Sequence, residues 1–239
     1  KVRWRFQGRG QIVGGPAVAG GMVCVGSRDS YVYALDSASG QLRWEAPTGD
    51  RVESTPAIGR RSVFVSSRDG RIYSLALSDG KVRWRADAGA PSRSSPALSG
   101  GTVVAGNQAG RLVALGRRDG RLRWEARVGD EISAAPTIVE DLVIVGSWDG
   151  AVYAWALEDG ARIWTCDAEG PVAAAASSAD GVVYFGSDAN MLFALDVRTG
   201  EVRWRTELSA GIRTCPAISD DLVVFGAMDG KIYAAGRED

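Results

Sequence analysis

Histidine is absent from this 239-residue chain. That removes the commonest general base, the usual nitrogen ligand of transition metals and every histidine-activated nucleophile at one stroke. Cysteine is scarce. Cys24, Cys166 and Cys215 are odd in number and none belongs to a C-x-x-C pair, so neither a disulfide framework nor a thiolate metal site is supported. Lysine occurs only at Lys1, Lys81 and Lys231, a scarcity in favour of arginine that suits a GC-rich bacterial source. No apolar run approaches the roughly 18 residues that suggest a membrane span, and no signal peptide opens the chain. With a formal net charge of −1 and no basic block, nucleic acid is a poor partner. A helical apolar period is also missing.

What the chain does contain is a repeat. Trp4, Trp44, Trp84, Trp124, Trp164 and Trp204 stand forty residues apart without insertion or deletion. Gly40, Gly80, Gly120, Gly160 and Gly200 each precede a tryptophan by four positions. A fixed period of this length is the mark of a repeat architecture, and the unbroken register predicts one domain over residues 1–239. Because residue 1 falls inside a repeat, the chain reads as a domain cut from a longer protein.

Each repeat is patterned for strands. "MVCVG" at 22–26, "SVFVS" at 62–66, "LVIVG" at 142–146 and "VVYFG" at 182–186 are short, β-branched and bounded by glycine, as strands buried on both faces are. Turns such as "SRDG", "SWDG" and "AMDG" follow, and Asp-Gly between apolar runs is a strong hairpin marker. "RIYSL" and "GKVRWRA" then give third and fourth strands. The first strand is expected to end in the Pro-Ala phrase at Pro16, Pro56, Pro96, Pro136 and Pro216; proline cannot donate to a ladder, which places this strand on an edge. The residues two before it, Gly14, Ser54, Ser94, Ala134, Ala174 and Thr214, are small, as crowding at a central axis requires. Arg3, Arg43, Arg83, Arg123 and Arg203 sit on the outer strand, where charge discourages edge-to-edge association and favours a monomer.

Radially repeated four-stranded sheets of about forty residues describe an all-β propeller. Six blades are predicted, with residues 1–6, whose "KVRW" matches 81–84, completing the last blade and closing the ring. Ala34, Asp36, Gly40 and Trp44, and again Ala194, Asp196, Gly200 and Trp204, spell Ala-x-Asp-x-x-x-Gly-x-x-x-Trp. This resembles the tryptophan-docking motif of the repeat family named after the pyrroloquinoline-quinone (PQQ) dehydrogenases, over the whole chain. The resemblance implies that each indole stacks on a glycine peptide and hydrogen-bonds a backbone carbonyl. The family also contains an eight-bladed scaffold lipoprotein of outer-membrane assembly and sensor or interaction domains of bacterial Ser/Thr kinases.

No cofactor is expected, since the dehydrogenases' calcium ligands, vicinal cysteines and haem segment have no counterpart here. Asp29, Asp69, Asp149 and Asp229 read as turn residues. Any site should lie where the repeats disagree. Two columns vary: Arg28, Arg68, Gln108, Trp148, Asp188 and Met228 in the turn between the second and third strands, and Val13, Glu53, Arg93, Ser133, Ala173 and Arg213 near the start of the innermost strand. Both are expected at the channel mouth. Trp148 is the outstanding candidate, because tryptophan and arginine dominate binding hot spots, while Glu53, Arg93 and Arg213 are set to form a mutual ion network. Trp155 reads as core. The fifth repeat, with "AAAASS" and "DAN", departs furthest and is expected either to open one wall of a groove or to have drifted. The class this favours is a non-catalytic module binding a peptide, protein or small polar ligand; an enzyme, either a quinone-dependent dehydrogenase or a hydrolase built on mouth carboxylates, or an engineered or recently amplified scaffold without a ligand, is the alternative.

Overall fold

The computed structural model describes residues 1–237, and the chain falls into two compact units, Lys1–Glu125 and Ala126–Asp239. Three sheets belong to the first unit: β1 (Ala17–Ala19) to β4 (Leu42–Pro47) through β2 (Met22–Gly26) and β3 (Tyr31–Asp36); β5 (Ala57–Ile58), β6 (Ser62–Ser66), β7 (Arg71–Ala76) and β8 (Val82–Asp87); and β9 (Ala97–Ser99), β10 (Thr102–Gly106), β11 (Arg111–Gly116) and β12 (Leu122–Arg127), the last running across the unit boundary. The second unit holds β13 (Thr137–Val139), β14 (Leu142–Gly146), β15 (Ala151–Ala156) and β16 (Arg162–Asp167); β17 (Ser177–Ala179), β18 (Val182–Gly186), β19 (Met191–Asp196) and β20 (Val202–Glu207); and β21 (Ala217–Ile218), β22 (Leu222–Gly226) and β23 (Ile232–Gly236). Strand order in every sheet follows the chain.

The strand pattern explains the register. In the second sheet Val63 faces Leu75 and Val65 faces Tyr73, so alternate side chains meet on one face. That face packs against the first sheet, whose Cys24, Val32, Ala34 and Trp44 share one buried cluster with Val63, Val65, Tyr73 and Leu75. A bulge recurs between the third and fourth strands, at Ala34/Leu35, Ser74/Leu75, Ala154/Trp155 and Ala194/Leu195. It leaves Arg43 and Arg203 out of the ladder, and their guanidinium groups reach Asp36 and Asp196 at 2.7 and 2.8 Å.

Within each unit neighbouring sheets are joined by tryptophans. The Trp44 indole N–H donates to the carbonyl of Leu77 at 2.8 Å, and Trp84, Trp164 and Trp204 donate to Arg117, Val197 and Arg237 at 3.1, 2.9 and 2.9 Å. Glycine is required beneath the ring. At Gly80 a Cβ would lie 2.5 Å from the indole Cε3 atom, and its φ of +71° is itself a left-handed conformation.

Two expectations are corrected. The first strands begin just after the proline instead of ending there, and before Pro56, Pro96 and Pro216 the segment is tied by a side-chain hydroxyl rather than by a ladder. Ser54 Oγ, for example, donates to Ser66 O at 3.0 Å and accepts from Ser66 N at 3.1 Å, and Thr214 Oγ1 does the same with Gly226 at 2.9 Å. Residues 1–6 form no strand, and the sixth sheet has three strands. The amino-terminal segment is held by side-chain docking onto the first sheet, where Trp4 lies over Gly40 and donates to Ser37 O at 3.1 Å. In the fifth sheet, whose divergence the sequence left open, β18 is buried throughout and Phe185 stacks on Phe193 with centroids 5.1 Å apart. Trp155 is core, 3% exposed.

Candidate binding face

The hairpin between the second and third strands is built on an aspartate. Asp149 Oδ1 accepts the N–H of Ala151 at 3.1 Å, closing the turn, and Oδ2 accepts the Tyr153 hydroxyl at 2.8 Å. Asp29 with Tyr33 and Asp229 with Tyr233 repeat the latch at 2.6 and 2.7 Å, and Asp69 with Tyr73 does likewise. Where the aspartate is replaced, at Ala109 and Ala189, the tyrosine is replaced too, by Val113 and Phe193. In the third sheet Asn107 takes over the turn, its Oδ1 accepting from Ala109 and Arg111 at 2.9 Å. Burial and the adjacent carboxylate push the Tyr153 hydroxyl up to about 12. This pairing was legible as Asp-x-x-x-Tyr, but the aspartate alone accounted for the turn and the tyrosine passed as strand.

The first variable turn residue of each sheet, which follows Ser, Asn or Ala227, is hydrogen-bonded to the loop entering the same sheet. Arg28, Arg68 and Gln108 donate their backbone N–H to Gln11, Arg51 and Pro91 in the first unit. Trp148, Asp188 and Met228 donate to Glu131, Pro171 and Gly211 in the second. The two variable columns therefore lie together on one face of each sheet.

In the first unit Glu53, its side chain 11% exposed, receives Arg28 at 2.6 Å and stands 3.8 Å from Arg68. Arg28 also donates to Gln11 Oε1 at 2.8 Å. Arg93 and Gln108 occupy the same face of the third sheet. In the second unit Arg213 makes a bidentate pair with Asp188, at 2.6 Å from Nη2 to Oδ2 and 2.9 Å from Nε to Oδ1, and lies 5.4 Å from the Trp148 ring centre. The indole N–H of Trp148 donates to Ser133 Oγ at 2.9 Å. Met228 stands exposed. Glu53 and Arg213 thus pair with turn residues, which corrects the expectation of one network among the residues at the start of the first strands: the turns of the first and fifth sheets also reach the entry loops of the second and sixth. Among the described residues no group of three or more His, Cys, Asp or Glu side chains could hold a metal ion.

Five four-stranded antiparallel sheets and one of three, each in chain order, are the blades of a six-bladed β-propeller. The chain belongs to the PQQ-type propeller family described as outer membrane protein assembly factor BamB, whose profile matches residues 1–158 and 148–239. Among solved structures it is similar to BamB from Moraxella catarrhalis, at 22% identity and a TM-score of 0.89, covering 100% of this chain and 77% of that one. It is also similar to the computationally designed Ika8 protein, at 20% identity and a TM-score of 0.85, covering 94% of this chain and 70% of that one. No curated protein matches significantly.

Proposed function

We propose that this propeller is a non-catalytic binding module that takes a peptide, protein or small polar ligand on the turn face, with Trp148 as its anchor. The observation that carries this reading is the Trp148, Arg213 and Asp188 cluster. A half-buried indole stands in a turn position that is polar or charged in four of the other five blades, oriented by Ser133 and backed by a guanidinium that Asp188 holds in place. Aromatic and arginine side chains fixed in this way lose little freedom on binding. The finer reading, a sensor or interaction domain of a signalling protein such as a bacterial Ser/Thr kinase, draws on the family resemblance.

The test is selection from a random peptide library on the immobilised protein, followed by affinity measurement on the Trp148→Ala variant. Selected peptides should lose tenfold or more in affinity, and a thermal-shift screen with calcium and PQQ should show no stabilisation. Calcium or quinone stabilisation would revive the dehydrogenase reading. An empty selection would favour a repeat scaffold without an evolved ligand, the second reading supported by the unvarying forty-residue spacing and the likeness to a designed propeller.

A further inference from the structure

A further departure from the repeat lies away from the turn face, in a groove of about 900 Å³ between the second and third sheets. Its walls carry Arg60, Arg61, Arg83, Arg117, Arg118 and Arg123, with Asp119 the one acid. In the other repeats the positions of Arg60 and Arg61 hold glycine or acids: Gly20 and Gly21, Gly100 and Gly101, Glu140 and Asp141, Asp180 and Gly181, Asp220 and Asp221. The carboxylate that pairs with the outer-strand arginine in the first and fifth sheets, Asp36 or Asp196, is replaced here by Ala76 and Gly116. Arg83 and Arg123 are left without it. The chain has gained positive charge and lost negative charge at one place.

These arginines are positioned by neutral groups. Arg117 donates to Gly100 O at 3.1 Å, and Arg123 donates to Thr102 Oγ1 at 2.7 Å. Neither bond neutralises a charge, and each leaves several N–H donors of the planar fork free. Among the described residues none of the six is in an ion pair, and Asp119 is 3.8 Å from Arg121, which does not line the groove. The remaining lining is glycine and serine. Without aromatic platforms for bases or apolar pockets for a peptide's anchors, the groove offers charge and N–H donors alone.

We infer that this groove binds a compact phosphate-rich anion of the polyphosphate type, through bidentate guanidinium–phosphate pairs. The open sides admit a short phosphate chain, and the fixed Arg117 and Arg123 set its line while the more exposed Arg60, Arg61 and Arg118 close on it.

Isothermal titration of the intact chain with sodium tripolyphosphate tests the inference. One saturable site is expected, weakening as salt is raised. Arg60→Gln/Arg118→Gln, at exposed positions, should weaken binding at least tenfold. Arg85→Gln/Arg127→Gln, which removes the same charge outside the groove, should leave it unchanged. Absence of binding at millimolar tripolyphosphate, equal losses in the two double variants, or tighter binding of hexaglutamate than of tripolyphosphate would overturn it. Circular dichroism of both variants separates loss of the site from loss of the fold.

Discussion

The hydroxyl of Tyr153 donates to the carboxylate of Asp149, four residues earlier, and the two side chains lock the turn to the strand that leaves it. Removing the hydroxyl leaves the ring stacked on Trp155, 5.4 Å away. Tyr153→Phe should therefore cost about 1 kcal/mol, the worth of one partly exposed hydrogen bond to a charged acceptor, read as a lower urea midpoint with an unchanged slope. Phe193→Leu, in a blade that has no latch, tests packing alone.

Gly80 and Gly20 share a left-handed backbone and differ in what lies beyond it. A methyl group at Gly80 would meet the Trp44 indole at 2.5 Å, whereas at Gly20 nothing lies within 4 Å. Gly20→Ala should cost about 1 kcal/mol, from backbone strain. Gly80→Ala must also displace a buried indole and should cost about 3 kcal/mol or more. Equal losses in denaturation would show that the indole is not clamped.

Asp196 is held down to about 2, first by the Arg203 guanidinium and then by backbone N–H groups including that of Thr199, against an ordinary 3.8. A lowered folded value means that the unfolded chain binds more protons. The contribution of Asp196 is therefore complete above about pH 4 and disappears as pH falls through about 2. Asp196→Asn should lower the urea midpoint at pH 7 by a small margin, since the pair is exposed, and the gap to the parent should close near pH 2.

Cys24 and Cys166 are buried, and burial pushes the Cys24 thiol up to about 12, while Cys215 is exposed. Thiol-disulfide exchange proceeds through the thiolate. Ellman's reagent should modify one thiol per native chain quickly and the other two only after denaturation. Cys215→Ser should abolish the fast phase.

The forty-residue period and the short β-branched runs made the fold legible, because blade packing repeats the same contacts at the same residues. β2, β6, β14 and β18 coincide with the runs read from the chain. Residues 1–6 misled, because "KVRW" has the composition of a fourth strand, and composition does not say which backbone will pair with it. The convergence of Glu53 with Arg28 and of Arg213 with Asp188 follows from the offset between adjacent sheets, which no column alignment contains. The six-arginine groove is invisible in the repeat columns for a related reason. Arg60-Arg61 and Arg117-Arg118 are 57 residues apart and meet only because one outer hairpin leans toward the next.

Trp4, Trp44, Trp84 and Trp164 each take an acceptor from a main-chain carbonyl and a seat from a glycine, so the clasp asks almost nothing of the side chains around it. The Asp–Tyr latch, by contrast, lies wholly inside one hairpin. Whole forty-residue cassettes can therefore be exchanged, duplicated or recombined between positions without rewriting either device. Diversity then accumulates freely in the remaining columns, and a blade donated by another propeller of this type should graft cleanly if its boundaries are cut outside the Asp-to-Tyr span.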